Sequence, residues 1–432
     1  MSEEIKFASQ LKQEEIEQAK IKFRECYYEI IEVLKKYCDL HEHYYPLISL
    51  WILGTYLHKQ FGTYPILFLN ATKGSGKTRL LRLISMLSKD GKLVADLKEA
   101  VLFRTAQKHT ICLDEFERVG SKENSTLRTL LNASYKKGVC VERMKKVRFM
   151  GQDEMVVESF DVYTPVAIAN IWGMEDVLSD RCITLILEKS INTNITKLAE
   201  NFELDLIVKS LKQILVQLVY TLCSVVTSEN IYTGWNNYVI DKYTPITTLN
   251  TLNYNTTHTT QTTQDIILTE FFNKVDKLDI DSRNLELFFP LFIIANEIGE
   301  EILEEILKVA EEIIHEKKSE EYAENRDVSL IDFISHKIEW RGSFMSVHEI
   351  TTQFKLTTME DPEEDKWLNP KWVGRALKRS KLVIQKRRVG KGVEVMVDVD
   401  KAKKLILRFK EPEKKEVQDI IKHETKKEEP SN

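Results

Sequence analysis

Ile16, Ala19, Phe23, Tyr27, Ile30, Leu34 and Tyr37 recur at helical spacing and predict one long amphipathic helix. A second helix is predicted over Pro46–Phe61. Its uncharged apolar run, Tyr44–Leu57, is shorter than the about 20 residues that a bilayer span takes. Ile66 to Leu69 is a continuous apolar run of the kind a short buried strand shows, and Arg79-Leu-Leu-Arg-Leu-Ile84 opens a helix pattern. Further strands are predicted at Leu93–Leu97, Thr110–Phe116, Tyr163–Asn170 and Cys182–Leu187, with helices over Lys98–Lys108 and Ser125–Tyr135. Val139–Arg143 and Met155–Phe160 are alternating runs on either side of Lys145, Lys146 and Arg148, which predicts a β-hairpin with a basic tip.

Downstream, Ile195–Val226 and Asp265–Glu316 read as helical. Between them, residues 244–264 are rich in Thr and Asn and hold too little apolar surface to order themselves, so a flexible insertion is predicted. Lys317–Asp327 reads as a charged linker. The last domain shows helices at Leu330–Ile338, Val347–Phe354 and Pro370–Arg379, a hairpin from Leu382–Lys386 and Val393–Val397, and a closing helix at Asp400–Phe409. Three helices and a glycine-tipped basic hairpin form a winged-helix pattern. The predicted organisation is an N-terminal helical region (1–61), a core (62–190), a helical region (191–326), the winged-helix domain (327–410) and a disordered tail (411–432).

Composition narrows the picture only a little. A chain of 432 residues with 43% hydrophobic content is that of a folded multidomain protein, and a net charge of -5 makes any nucleic-acid contact a matter of local patches. The six cysteines form no Cys-x-x-Cys pair and sit mostly in apolar surroundings, as reduced thiols do, so a cytoplasmic location without a membrane is expected. His41 and His43 lack the further ligands that a metal site needs.

The chemistry concentrates after the first strand, in Ala71-Thr72-Lys73-Gly74-Ser75-Gly76-Lys77-Thr78. Strand, glycine loop, Gly-Lys-Thr and helix together make a phosphate-binding loop in its required context. Gly74 and Gly76 let backbone N–H groups converge on phosphate oxygens, and the helix that begins near Lys77 aims its positive end at the same anion. Lys77 is expected to reach the β- and γ-phosphates of ATP, and the Thr78 hydroxyl to hold Mg²⁺. Ala71 stands where the motif usually has glycine. The strand at Thr110–Phe116 ends in Asp114 and Glu115. Asp114 would bind Mg²⁺ and Glu115 would polarise the attacking water. Asn170, at the end of a later strand, can orient that water. Arg181 stands just before the last core strand, either as a finger for a neighbouring subunit's γ-phosphate or as a structural partner of Asp180.

The order of these pieces resembles the AAA+ ATPases, and within them the helicase-like ATPases of archaeal, phage and plasmid replication, relatives of the superfamily-three and minichromosome-maintenance helicases. Ala71–Thr78, Leu113–Glu115, Ala167–Asn170, Leu178–Arg181 and the run from Arg283 to Ala295 carry the resemblance. It implies an α/β core with a helical lid and a homo-oligomeric ring, with a hexamer as the leading count. Two basic surfaces bear on a DNA partner. One is the hairpin with Lys145, Lys146 and Arg148, which is equally well a solvated turn. The other is Lys371, Arg375, Lys378 and Arg379 on the third helix of the last domain with Arg387, Arg388 and Lys391 on its wing, a footprint that suits duplex DNA and also occurs in protein-docking domains. The expected function is an ATP-dependent DNA helicase or translocase. The alternatives are a DNA-binding ATP switch (an initiator, loader or partition factor) and a protein remodeller.

Overall fold

The computed structural model describes residues 2–95, 105–106, 108–114, 125–149, 152–170, 176–225, 228–243, 263–278, 280, 282–324, 326–358, 368–389 and 392–407. The tail from residue 411 and most of the predicted helix Lys98–Lys108 lie outside them. So does the Thr- and Asn-rich stretch, apart from Thr263 and Gln264, which open a helix. The chain forms two compact units, Met1–Ile313 and Ile314–Asn432.

The first unit holds strands β1 (Ile66–Ala71), β2 (Lys92–Val94), β3 (Ile111–Leu113), β4 (Cys140–Phe149), β5 (Gln152–Asp161), β6 (Val166–Asn170) and β7 (Cys182–Leu187). Five of them make an all-parallel sheet in the order β2-β3-β6-β1-β7, while β4 and β5 pair with each other as an antiparallel hairpin. β3 and β6 are buried throughout and β1 nearly so, as strands covered on both faces must be, which is why each reads as a continuous apolar run.

Helices α1 (Ser2–Tyr37), α2 (Tyr44–Leu57), α3 (Lys77–Leu87), α4 (Ser125–Ser134), α5 (Asp176–Ser179), α6 (Thr193–Thr196), α7 (Leu206–Val225), α8 (Ser228–Tyr243), α9 (Thr263–Asp276), α10 (Ser282–Ile298) and α11 (Glu300–Glu324) complete the unit, the last running on into the second. The periodic stripe of α1, including Phe23, Tyr27, Ile30 and Leu34, is buried. α2 is buried on every side, as a helix apolar all round must be. It approaches the β1 entry closely: the Tyr64 hydroxyl donates to Trp51 O (2.6 Å), and a Cβ on Gly54 would run into that hydroxyl. Leu206–Cys223 of α7 is long and apolar enough to cross a bilayer by length and composition. A core helix meets the same test, and Val208, Leu211, Leu215, Leu218 and Leu222 form a buried stripe along it.

Two expectations are corrected. The predicted helix Ile195–Val226 is broken: only Thr193–Thr196 and Leu206–Val225 are α-helical, with a 3-10 turn at Phe202–Leu204 between them. The carbonyls of Ile195 and Leu198 accept from the Arg79 guanidinium, and Ile195 O also takes Leu198 N in a turn. Asp205 then restarts the helix by accepting from Ile207 N. The predicted linker Lys317–Asp327 is helix up to Glu324, and α12 starts at Arg326; Glu, Lys and Ala there are good helix formers.

The second unit contains α12 (Arg326–Ser335), β8 (Phe344–Ser346), α13 (Val347–Thr358), α14 (Pro370–Arg379), β9 (Val383–Val389), β10 (Gly392–Val397) and α15 (Val399–Ile406), with an antiparallel sheet in the order β8-β10-β9. Ile334, Trp340, Ile350, Val373, Leu377, Val395 and Ala402 belong to its core. Asn369 caps α14 by accepting from Lys371 N and Trp372 N, and Pro370 occupies the first turn. The three-residue β8 is too short to show a period and was not predicted.

Candidate functional site

Parallel strands end on one edge of the sheet, and that edge holds Asp114 after β3 and Asn170 at the end of β6. β1 ends at Ala71 and turns through Thr72–Gly76 into α3. Gly74 and Gly76 both have φ of 85°, a left-handed backbone that favours glycine, and a Cβ at either would meet no protein atom within 4 Å. The loop therefore opens onto free space. Gly76 caps α3, its carbonyl accepting from Leu80 N (3.0 Å), so the free N–H groups of the first turn belong to the loop. The Ser75 hydroxyl oxygen is buried without a partner among the described residues.

Lys77 projects from the first position of α3 towards the end of β3, where its Nζ lies 3.0 Å from Asp114 Oδ1; both side chains are only 12% exposed. Asp114 N donates to Val94 O (3.0 Å), which fixes the carboxylate's strand end. Asn170 is buried at the end of β6, between β3 and β1 and in register with Asn70. Lys77, Asp114 and Asn170 thus share one edge with the glycine loop. Glu115, the next residue on, lies outside the described residues.

Beside the loop is a cleft of about 610 Å³. Lys73–Leu80 form its floor, the α1–α2 link Tyr37–Leu40 one wall, and residues of the segment Leu187–Glu200 the other. The walls are joined where Ser190 Oγ donates to Asp39 Oδ2. Burial pushes the Cys38 thiol on this wall up to about 12, so it stays a thiol. Neither wall was foreseen in the sequence, because they come from segments far apart in the chain.

Arg181 is elsewhere. It precedes β7, its carbonyl accepts from Ile66 N (3.2 Å), and it therefore sits at the opposite edge of the sheet from the loop. From Ile66 to Ala71 β1 takes five steps of about 3.3 Å, so its two ends lie about 16 Å apart. Arg181 does not pair with Asp180. Its guanidinium lies over the Tyr135 ring (5.3 Å), donates to Val177 O, and leaves Nε buried without a hydrogen-bond partner among the described residues. Asp180 is held by Arg283 (2.9 Å), which also donates to Tyr135 Oη (2.8 Å) and lies over the same ring (5.5 Å).

The basic surfaces are thinner than the sequence suggests. In the β4–β5 hairpin the register puts Lys145 on one face and Lys146 and Arg148 on the other, and Lys145 pairs with Glu158 (3.0 Å). In the second unit Lys371, Arg375 and Lys378 share the exposed face of α14, opposite buried Val373, Ala376 and Leu377. Arg388 is exposed on β9. Arg379, however, is bound through two nitrogens to Asp327 (2.7 and 2.9 Å), and Arg387 is paired with Glu394 (2.7 Å) over the Phe344 ring. The fold thus brings two carboxylates, Asp327 and Glu394, to these arginines from outside the local run. Lys391 lies outside the described residues. No three His, Cys, Asp or Glu residues gather as a metal site among the described residues.

No protein-family model matches this chain, and no curated protein matches it.

Proposed function

We propose that this chain is a P-loop ATPase of the AAA+ type that works on DNA as a helicase or translocase in replication. The observation that carries the reading is the Lys77–Asp114 pair, 3.0 Å apart beside an open glycine loop. Lys77 lines a cleft of nucleotide size, beside the Ser75 hydroxyl, which is buried without a partner among the described residues.

Those features fit a triphosphate and its cation. The α3 N–H groups and Lys77 would take the phosphate oxygens, with Lys77 exchanging the Asp114 carboxylate for them. Thr78 and Asp114 are the residues that would hold Mg²⁺, which when bound spreads the charge of the β- and γ-phosphates. Glu115 would accept the proton of the attacking water, with Asn170 orienting it. The water oxygen bonds to the γ-phosphorus as the bond to the β–γ bridging oxygen breaks, releasing ADP and phosphate. Arg181, on the far edge, would act on the γ-phosphate of a neighbouring copy, so the site would be complete only in a ring, for which we take a hexamer as the working count.

In this reading the second unit is a winged helix. The α14 face with Lys371, Arg375 and Lys378, together with Arg388, would contact DNA phosphates, as would Lys146 and Arg148 on the hairpin. The pairing of Arg379 and Arg387 with carboxylates favours a second reading, a protein remodeller whose winged helix docks protein. Lys77→Ala tests the site itself: hydrolysis is expected to vanish with the circular dichroism spectrum unchanged, and retained turnover would place the site elsewhere.

A further inference from the structure

We propose that Arg79 is a positioning residue for the nucleoside part of the ligand: it ties both walls of the cleft to the helix that carries the phosphate loop. The inference rests on the nucleotide reading above. Arg79 stands two residues after Lys77, about 200° further round α3 at about 100° per residue. It therefore points away from Asp114 and the phosphate side. Its guanidinium donates to Ile195 O (2.8 Å) and Leu198 O (2.9 Å) and pairs with Glu200 (3.2 Å), all on one wall. It also reaches Tyr37 O (3.5 Å), at the carbonyl end of α1 where the helix dipole favours a cation.

Tyr37, Ile195 and Glu200 line the cleft. The 197–205 segment has no α-helix of its own, and Arg79 holds its start through the carbonyls of Ile195 and Leu198. Only a guanidinium has enough donors in a fixed plane to serve three carbonyls and a carboxylate together; an ammonium has three donors at one point. Arg79 touches neither Lys77 nor Asp114, so its loss should leave the phosphate subsite intact while the walls around the base and sugar come loose.

The test measures binding of Mg²⁺-ATP and of Mg²⁺-tripolyphosphate to the full-length chain by calorimetry. Tripolyphosphate has the phosphates and no nucleoside. In Arg79→Ala the ATP affinity is expected to fall about tenfold or more, the loss of one charge-assisted hydrogen bond or more, while tripolyphosphate affinity stays within about twofold. Arg79→Lys, which keeps the charge and the stem, is expected to show the same selective loss and serves if the alanine variant does not fold. An equal loss for both ligands, or no loss for either, would overturn the proposal. If the unaltered chain binds neither ligand, the nucleotide reading beneath it fails as well, and the two failures are told apart.

Discussion

Asp180 accepts a hydrogen bond from Arg283 at 2.9 Å, while its chain neighbour Arg181 lies over the Tyr135 ring and has no carboxylate partner among the described residues. Arg181 stands at the edge of the sheet away from the glycine loop, so in the proposed ring it would serve the phosphate of a neighbouring copy. Arg181→Ala should therefore lower ATP turnover by about 10³ or more, the range for an arginine finger, and leave ATP affinity nearly unchanged. Mixing Arg181→Ala with Lys77→Ala should restore part of the activity, because mixed assemblies pair an intact loop with an intact arginine. Turnover assays on the two variants alone and mixed check both points.

Arg283→Ala should act through Arg181. Asp180, released, would be free to pair with Arg181 and neutralise it. Turnover is expected to fall with little change in the ATP concentration at half-saturation. Adding Asp180→Asn to Arg283→Ala should recover part of the loss, which pre-steady-state and steady-state hydrolysis assays would show.

His58 makes stability depend on pH. It is buried, its Nδ1 lies 2.8 Å from Thr55 O, and burial lowers its pKa from 6.5 to about 4. The folded state then resists a proton that the unfolded chain accepts. The His58 contribution is whole above about pH 6.5 and is lost as pH falls towards 4, up to about 3 kcal/mol. Denaturant midpoints measured between pH 7 and 4.5 should fall more steeply for the unaltered chain than for His58→Gln.

Gly54→Ala should destabilise the first unit by about 1–3 kcal/mol, since the new methyl collides with the Tyr64 hydroxyl inside a filled core. Thermal unfolding of the variant checks this. Tyr64→Phe in the same background should relieve part of the cost by removing the oxygen that the methyl meets.

On the basic face, Lys371→Ala, Arg375→Ala and Lys378→Ala should each weaken DNA binding without regard to sequence and reduce the salt slope by about 1. Arg379→Ala and Arg387→Ala should do less, because their charges are already matched by Asp327 and Glu394. Titrations at several salt concentrations separate the two groups.

The strands and the loop were legible because their signals are local: apolar runs for β1, β3, β6 and β7, and glycines followed by Lys77 and Thr78 for the turn into α3. The meeting of Lys77 with Asp114 follows from the parallel sheet, because the loop after β1 and the end of β3 lie on the same edge. What could not be read are partners distant in sequence. Arg79 draws its ligands from Tyr37 and from Ile195–Glu200, in a stretch that periodicity alone extends as one unbroken helix. Asp180 chose Arg283 over the adjacent Arg181 for the same kind of reason: a guanidinium set on α10 reaches it in a geometry that its neighbour, turned over Tyr135, does not offer. The acids that pair with Arg379 and Arg387 likewise arrive from α12 and β10.

The proposed ATPase is one that DNA stimulates, and the rate of ATP hydrolysis by the full-length chain without DNA, with single strands and with duplex, each at two salt concentrations, tests it most directly. Hydrolysis is expected to rise several-fold with single-stranded DNA and to lose that stimulation at higher salt. A rate that no DNA changes would contradict the translocase and leave the switch or remodeller; no hydrolysis under any condition would contradict the ATPase itself.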